Sequence, residues 1–345
     1  MRWMLLSVPI ALAVILFLPD RPILVFLISV LALIPLAALM GESTEHLATH
    51  LGPSAGGLLN ATFGNLSELI IMISLLGKGL YDVVLAGLFG GILANSILAT
   101  GLAMFAGGIK YHLQRYNRES TRDQSTLLTI AVFALLVISI IGSDLPPEQL
   151  SASPISVMVS PFLLLGYFLF LVYSMGTHSE LFEVAEEDQS SDWSVVKAGS
   201  VLVAVTLAVV YISEALSTSI ESLVADAGVS QLFIGAVVIA VIGAAAEIAS
   251  AIRAARKDRM DLALSITMGG SAQIALFVAP VIVIANVVLG DGGFQLYFNY
   301  ESVLVLFFCV MITMQLARDG QSTWFKGVLL ILVYLILAGG IYMVT

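Results

Sequence analysis

The chain has 345 residues, of which 59% are hydrophobic and 11% charged, and its mean hydropathy is +1.03. Soluble domains run at about 45–50% and 25%, so a soluble globular protein is excluded. The formal net charge of −10 comes largely from one acidic loop, and nothing in it suggests nucleic-acid binding.

A membrane-spanning helix needs about 20 mostly apolar residues, and eleven segments qualify. The first, 3–19, follows Arg2 and has no small-x-small cleavage site before Asp20, so it reads as a retained helix, not a signal peptide. The others are predicted at 22–46, 54–77, 80–107, 126–142, 156–176, 195–218, 231–255, 259–289, 300–317 and 322–344. The alternation of a membrane barrel is missing, which leaves helices as the way to satisfy this backbone in lipid. The expected fold is an all-α membrane protein with four parts: an N-terminal helix (1–21), a first five-helix repeat (22–176), an acidic connector (177–194) and a second five-helix repeat (195–345).

With the N-terminus in the cytoplasm, twelve basic residues fall at cytoplasmic span ends: Arg2, Lys110, Arg115, Arg118, Arg122, Lys197, Arg253, Arg256, Lys257, Arg259, Arg318 and Lys326. Only Arg21 and Lys78 fall outside, and this asymmetry sets the orientation, with the C-terminus on the far side. The connector carries Glu180, Glu183, Glu186, Glu187, Asp188 and Asp192 without a base and reads as a solvated linker or a cation-concentrating helix. It lacks EF-hand spacing. Cys309, the single cysteine, sits in an apolar run and reads as a buried, inert thiol. His46, His50, His112 and His178 fall at span ends or in loops and read as solvated.

The two halves match without gaps between Gly64–Gly91 and Gly243–Gly270. Identical pairs are Gly64 with Gly243, Glu68 with Glu247, Ile73 with Ile252, Lys78 with Lys257, Asp82 with Asp261, Leu85 with Leu264, Gly90 with Gly269 and Gly91 with Gly270. Upstream, Glu45 precedes Gly52 by seven residues as Glu221 precedes Gly228, in a register shifted by three. An odd number of spans per half inserts the repeats in opposite orientations, the architecture of inverted-repeat transporters, whose ions bind near mid-membrane on interrupted helices.

Glu68 and Glu247 each follow a glycine by one turn and have no basic neighbour within a turn. A carboxylate at that depth has to be protonated, paired or metal-bound. Two of them across a pseudo-two-fold axis make a hard, oxygen-rich site of the kind Ca²⁺ prefers, and neither motif carries the soft or imidazole ligands of Zn²⁺ or Cu⁺. Further oxygens are available from Asn65, the carbonyls of Gly64 and Gly243, Asn95, Ser96, Ser271 and Gln273; of these, Asn95, Ser96, Ser271 and Gln273 read equally as helix-linking polar groups. Glu42 and Glu45, and Glu214 and Glu221, lie near opposite span ends, either lining ion routes or at the surface. No cofactor is implied; the partners are the transported ions and the bilayer, and a homo-oligomer is compatible with the sequence.

The stretches GESTEHL, GGLLNATFGNLSELI, GGILANSILATG, GAAAEI and RKDRMDLALSITMGGSAQIALFVAPVIVI resemble the calcium/cation antiporter superfamily, specifically its calcium/proton exchanger branch. That resemblance implies paired repeats whose glutamates, here Glu68 and Glu247, bind Ca²⁺ and protons alternately while helices slide or rock to switch access. The second motif has Ala244 and Ile248 where that branch carries Asn and His, and the first has Leu66 and Ser67 for Ala and Thr. The reading is export of Ca²⁺ by exchange for H⁺. Alternatives are Na⁺ as coupling ion or Mn²⁺ as cargo and, more remotely, a passive channel or an intramembrane carboxylate enzyme.

Overall fold

The computed structural model describes residues 2–51, 56, 59, 62–143, 154–182, 193–227, 229–289 and 293–344, which are overwhelmingly helical. In chain order the helices are α1 (Ser7–Phe17), α2 (Pro22–Thr49), α3 (Leu66–Gly77), α4 (Tyr81–Lys110), α5 (Arg118–Ser143) and α6 (Ile155–Thr177). Then follow α7 (Val195–Ala227), α8 (Gln231–Gly243), α9 (Ala245–Ala255), α10 (Met260–Leu289), α11 (Tyr300–Ala317) and α12 (Trp324–Val344). Among the described residues eight helices are long and apolar enough to cross a membrane, nine if the bent pair α8–α9 is one span; α1 and α3 are shorter.

The interrupted helices expected of this architecture are present: within the spans predicted at 54–77 and 231–255 the chain turns at Gly64 and Asn65 and bends by 50° at Ala244. One expectation needs correction. Spans predicted at 126–142 and 195–218 run from Arg118 to Ser143 and from Val195 to Ala227. Hydropathy marks only the length in hydrocarbon, whereas helical hydrogen bonding continues into the polar zone. Of the acidic connector, residues 183–192 lie outside the described residues.

The repeat is visible in the packing. Helix α2 packs on α9 and its counterpart α7 on α3; α4 meets α9 as α10 meets α3; α12 lies along α4 as α6 lies along α10. Each repeat thus covers the broken helix of the other. The ends of α3 and α9 close identically: Leu80 N–H bonds Leu75 O at 3.1 Å and Gly79 N–H bonds Leu76 O at 2.9 Å, matched by Arg259 to Ala254 at 3.0 Å and Asp258 to Ala255 at 3.1 Å. This is a Schellman turn, which needs a left-handed residue. Gly79 supplies it at φ 70° and Asp258 at φ 62°, aspartate being among the side chains that tolerate that region.

These turns define two membrane faces, named for Lys78 and Lys257. At the Lys257 face a short antiparallel ladder, Gln114–Arg115 with Gln321–Ser322, joins two loops, and Gln114 Nε2 donates to Ala255 O at 2.8 Å and Asp258 Oδ1 at 2.9 Å. Cys309 is buried, as expected. Large apolar side chains such as Phe17, Phe133, Phe162, Leu207 and Ile336 are exposed around the perimeter, an apolar surface that suits lipid and not water.

Helix α4 is the enclosed centre, with 89% of its apolar window buried against 17% for α12. It crosses α8 backbone to backbone: a Cβ on Gly90 would lie 2.1 Å from Ala236 O, and one on Gly235 would lie 2.5 Å from Val83 O. Small residues permit such crossings in membranes. Gly90→Ala is therefore expected to destabilise the protein by about 3 kcal/mol, whereas its repeat mate Gly269, with nothing within 4 Å of the added carbon, should accept Ala with little change. Thermal unfolding of both variants in detergent checks this contrast.

Candidate cation site

The two helix breaks place the two glutamates. Asn65 (φ −97°, ψ 11°) and Ala244 (φ −74°, ψ 1°) occupy matched positions just before α3 and α9, and Glu68 and Glu247 fall in the first turn of each. The first turn of a helix presents unpaired N–H groups and the positive end of its dipole, an environment that favours negative charge. Without the break, each glutamate would sit mid-helix and lose that support.

Tertiary packing brings the halves together. A Cβ on Gly243 would lie 2.7 Å from Glu68 Oε1, so the break in one repeat is filled by the carboxylate of the other. A Cβ on Gly91 would meet Ile274 Cδ1 at 3.0 Å and Glu68 Oε1 at 3.8 Å; one on Gly270 would meet Asn95 Nδ2 at 3.1 Å and Glu247 Cγ at 3.5 Å. Since 91 matches 270, 95 matches 274 and 68 matches 247, these contacts are two-fold images of one another. Glu68 and Glu247 also interact electrostatically, and neither forms an ion pair among the described residues.

Chemically the symmetry is broken. Asn65 Nδ2 donates to Gln273 Oε1 at 2.5 Å across the repeat boundary, whereas the matched positions, Ala244 and Ala94, are buried alanines. Asn95 has Ile274 as its mate. Amides therefore concentrate on one side of the axis.

Five buried polar atoms here lack a hydrogen-bond partner: Asn65 Oδ1, Glu68 Oε2, both side-chain heteroatoms of Asn95, and Glu247 Oε2. Buried polar atoms are normally paired, and four of these five are oxygens with lone pairs free to receive a cation or a proton. Among the described residues no cluster of three or more His, Cys, Asp or Glu exists, so such a site consists of two carboxylates plus amide and carbonyl oxygens. That is hard, oxygen-only chemistry.

Of the residues singled out in the sequence, Glu68, Glu247, Asn65, Asn95, Gln273 and Gly243 converge here. Gly64 lies in the turn before Asn65, where the backbone leaves the helix. Ser96 and Ser271 face elsewhere: Ser96 Oγ donates to Ile92 O at 2.6 Å, and Ser271 Oγ lies 3.0 Å from Thr267 O and 3.3 Å from Ile92 O. Ser271 thereby links α10 to α4. Both helices widen into π-turns beside the site, at Ala94–Ala99 and Ile274–Val278. Pro280 explains the second, since it has no N–H for Leu276 O and would clash with it in a regular helix; Thr100 Oγ1 bonds the Asn95 carbonyl at 3.3 Å in the first.

Sequence reading missed the steric roles of Gly91 and Gly270 and the hydrogen bond from Thr100 to Thr267 at 2.8 Å, which crosses between α4 and α10. The glycines were legible as matched pairs but not as neighbours of the carboxylates. In the register of the main match, Glu42-Ser43 aligns with Glu221-Ser222, a pairing without the three-residue shift of the Glu45 echo. Glu42, Glu45, Glu214 and Glu221 are all exposed, away from the central site.

Comparison with known proteins follows the same lines. The chain matches the family described as sodium/calcium exchanger protein over residues 21–176 and 197–343. It is 39% identical over 333 residues to a Ca²⁺/H⁺ antiporter of Aphanothece halophytica, covering 91% of this chain and 88% of that one. The Ca²⁺/H⁺ antiporter ChaA of Bacillus subtilis is 38% identical over 323 residues, covering 92% of each. The solved structure of native YfkE superposes with a TM-score of 0.84 at 34% identity, covering 98% of this chain and 97% of that one. With two inverted five-helix repeats, paired carboxylates at matched helix breaks and a family match along both repeats, the chain belongs to the sodium/calcium exchanger protein family.

Proposed function

We propose that the chain is a secondary antiporter exchanging Ca²⁺ for H⁺, in which the dication and protons compete for Glu68 and Glu247. The observation that carries this reading is the pair of two-fold-related carboxylates among unpartnered buried oxygens. Two negative charges at membrane depth have to be neutralised, either by one Ca²⁺ or by protons. Occupation by one excludes the other, and that exclusion alone couples opposing fluxes. The names of the relatives, both Ca²⁺/H⁺ antiporters, support the same ion pair.

In this reading Asn65, Asn95 and Gln273 supply amide oxygens, the backbone at Gly64 and Gly243 supplies carbonyls, Ser271 links α10 to α4, and Ser96 bonds within α4. Residues 22–176 and 195–345 form the two repeats, 1–21 an added helix and 177–194 a connector. The asymmetry of the basic loops supports a cytoplasmic Lys257 face, N-terminus and connector, with Ca²⁺ exported.

In proteoliposomes, Ca²⁺ uptake is expected under an imposed pH gradient with no Na⁺ present. An absolute Na⁺ requirement, or preference for Mn²⁺ over Ca²⁺, would instead establish the alternative ions; conductance without counter-transport would mean a channel. Competition also predicts that the apparent affinity for Ca²⁺ rises with pH while the maximal rate at saturating Ca²⁺ changes less, measured as initial uptake from pH 6 to 8.

A further inference from the structure

In an inverted repeat, the states open to either face are images of one another, so whatever differs between the repeats sets which state is preferred. The surroundings of the two glutamates differ in this structure. Glu68 is 5% exposed and its neighbours Ser67, Leu69 and Ile71 are buried, whereas Glu247 and the matched Ala246, Ile248 and Ser250 are less fully buried, although Glu247 Oε2 itself is enclosed. The Lys78 side of the site is the more tightly packed one.

Over that side lies a cluster between α3 of one repeat and α7 of the other. Lys78 Nζ sits 2.8 Å from Glu214 Oε1, Ser74 Oγ donates to Glu214 Oε2 at 3.0 Å, and Ser217 Oγ donates to Ser74 Oγ at 3.0 Å. Glu221, two turns along the same face of α7, adds its field at Lys78. The hydrogen bond to Glu214 raises the Lys78 ammonium above its ordinary pKa, against a smaller opposing effect of burial, so the pair is charged at neutral pH. One turn deeper on α7, Ser213 is fully buried, its hydroxyl without a partner.

At the opposite interface the residues at the matched positions differ. Ser74 is matched by Arg253, Glu214 by Pro35 and Ser217 by Ala38, so α2 and α9 lack the carboxylate and hydroxyls of this cluster at the matched positions. Among its contacts is one between small residues, with a Cβ on Gly41 falling 3.7 Å from Ala246 Cβ.

We infer that Lys78, Glu214, Ser74 and Ser217 form a latch that holds α7 against α3 and biases the exchanger toward the state closed on the Lys78 face. One exposed ion pair on its own contributes little. Here the carboxylate is held at both oxygens, and every contact has to break for α7 to leave α3. The effect is a shift in the population of two existing states, not a change in ion chemistry. The inference rests on the exchanger reading for its meaning, but its test reads accessibility and needs no transport.

The test uses the full chain in a Cys309→Ala background carrying Ser213→Cys, labelled from the Lys78 face with a membrane-impermeant maleimide. Labelling is expected to be slow with the latch intact and at least fivefold faster in Lys78→Met or Glu214→Gln. A Ser250→Cys reporter on α9, labelled instead from the Lys257 face, should label more slowly in the same variants. The swap Lys78→Glu with Glu214→Lys should restore slow labelling at position 213. If Ser213→Cys does not assemble, the apparent Km for Ca²⁺ from the Lys78 face is the substitute readout and should fall in Glu214→Gln. Unchanged labelling at both reporters, or an unchanged Km in the substitute, would reduce the cluster to a surface ion pair and overturn the latch.

Discussion

Replacing Glu68 or Glu247 by glutamine is expected to lower Ca²⁺/H⁺ exchange by about 100-fold or more, because affinity of oxygen sites for Ca²⁺ depends steeply on how many charged ligands they hold. Glutamine keeps the volume and one oxygen of the acid but cannot lose a proton. The site would keep one negative charge against a dication, and the exchange of charge for charge that couples the fluxes would stop. Folding should survive, with a melting temperature equal to or above that of the parent, because a neutral amide is less costly to bury than an unpaired carboxylate. Flux in proteoliposomes and thermal unfolding in detergent separate these effects. Parent-level exchange in either variant would remove that glutamate from the mechanism.

Gly243→Ala is expected to lower the transport efficiency for Ca²⁺ by about 10–100-fold, the scale on which a displacement of about 1 Å acts in a preorganised site. The added methyl would stand 2.7 Å from Glu68 Oε1 and 2.8 Å from Glu68 Cγ. Both atoms belong to a side chain that can turn, so the protein should fold and the carboxylate should move. The matching control is Gly269→Ala, where the methyl meets nothing within 4 Å. Direct Ca²⁺ binding by calorimetry on both variants tests the claim, and equal affinities would show that the 243 position does not shape the site.

Much of the fold was legible before any coordinates. Long apolar runs and the Gly-x-x-x-Glu match across halves led directly to spans and an inverted repeat. Each of these depends on local composition or on spacing along one chain. The helix breaks were less legible. Gly64 and Gly243 marked them, but Asn65 and Ala244 share a turn conformation that their side chains do not share, so hydropathy ran straight through both.

The site was legible in part for the same reason. Glu68 and Glu247 stand out because an unpaired charge in an apolar run is costly wherever the run folds. Asn95, Gln273, Ser96 and Ser271 looked alike in the sequence, as polar residues on spans. Only the crossing of α4 and α10 separates them, turning Asn95 and Gln273 toward the carboxylates and spending both serine hydroxyls on backbone carbonyls.

What the sequence by itself determined was the membrane-spanning class, the two-fold repeat and the identity of the two glutamates, since burial of charge and apolar length are costs read residue by residue. Tertiary structure alone decided that a side chain at Gly90 would meet the α8 backbone while one at its mate Gly269 would meet nothing, that Gly243 of one repeat cradles Glu68 of the other, and that Lys78 meets Glu214. Those outcomes depend on which surfaces of distant helices approach within a few ångströms, and no periodicity along a single chain encodes that.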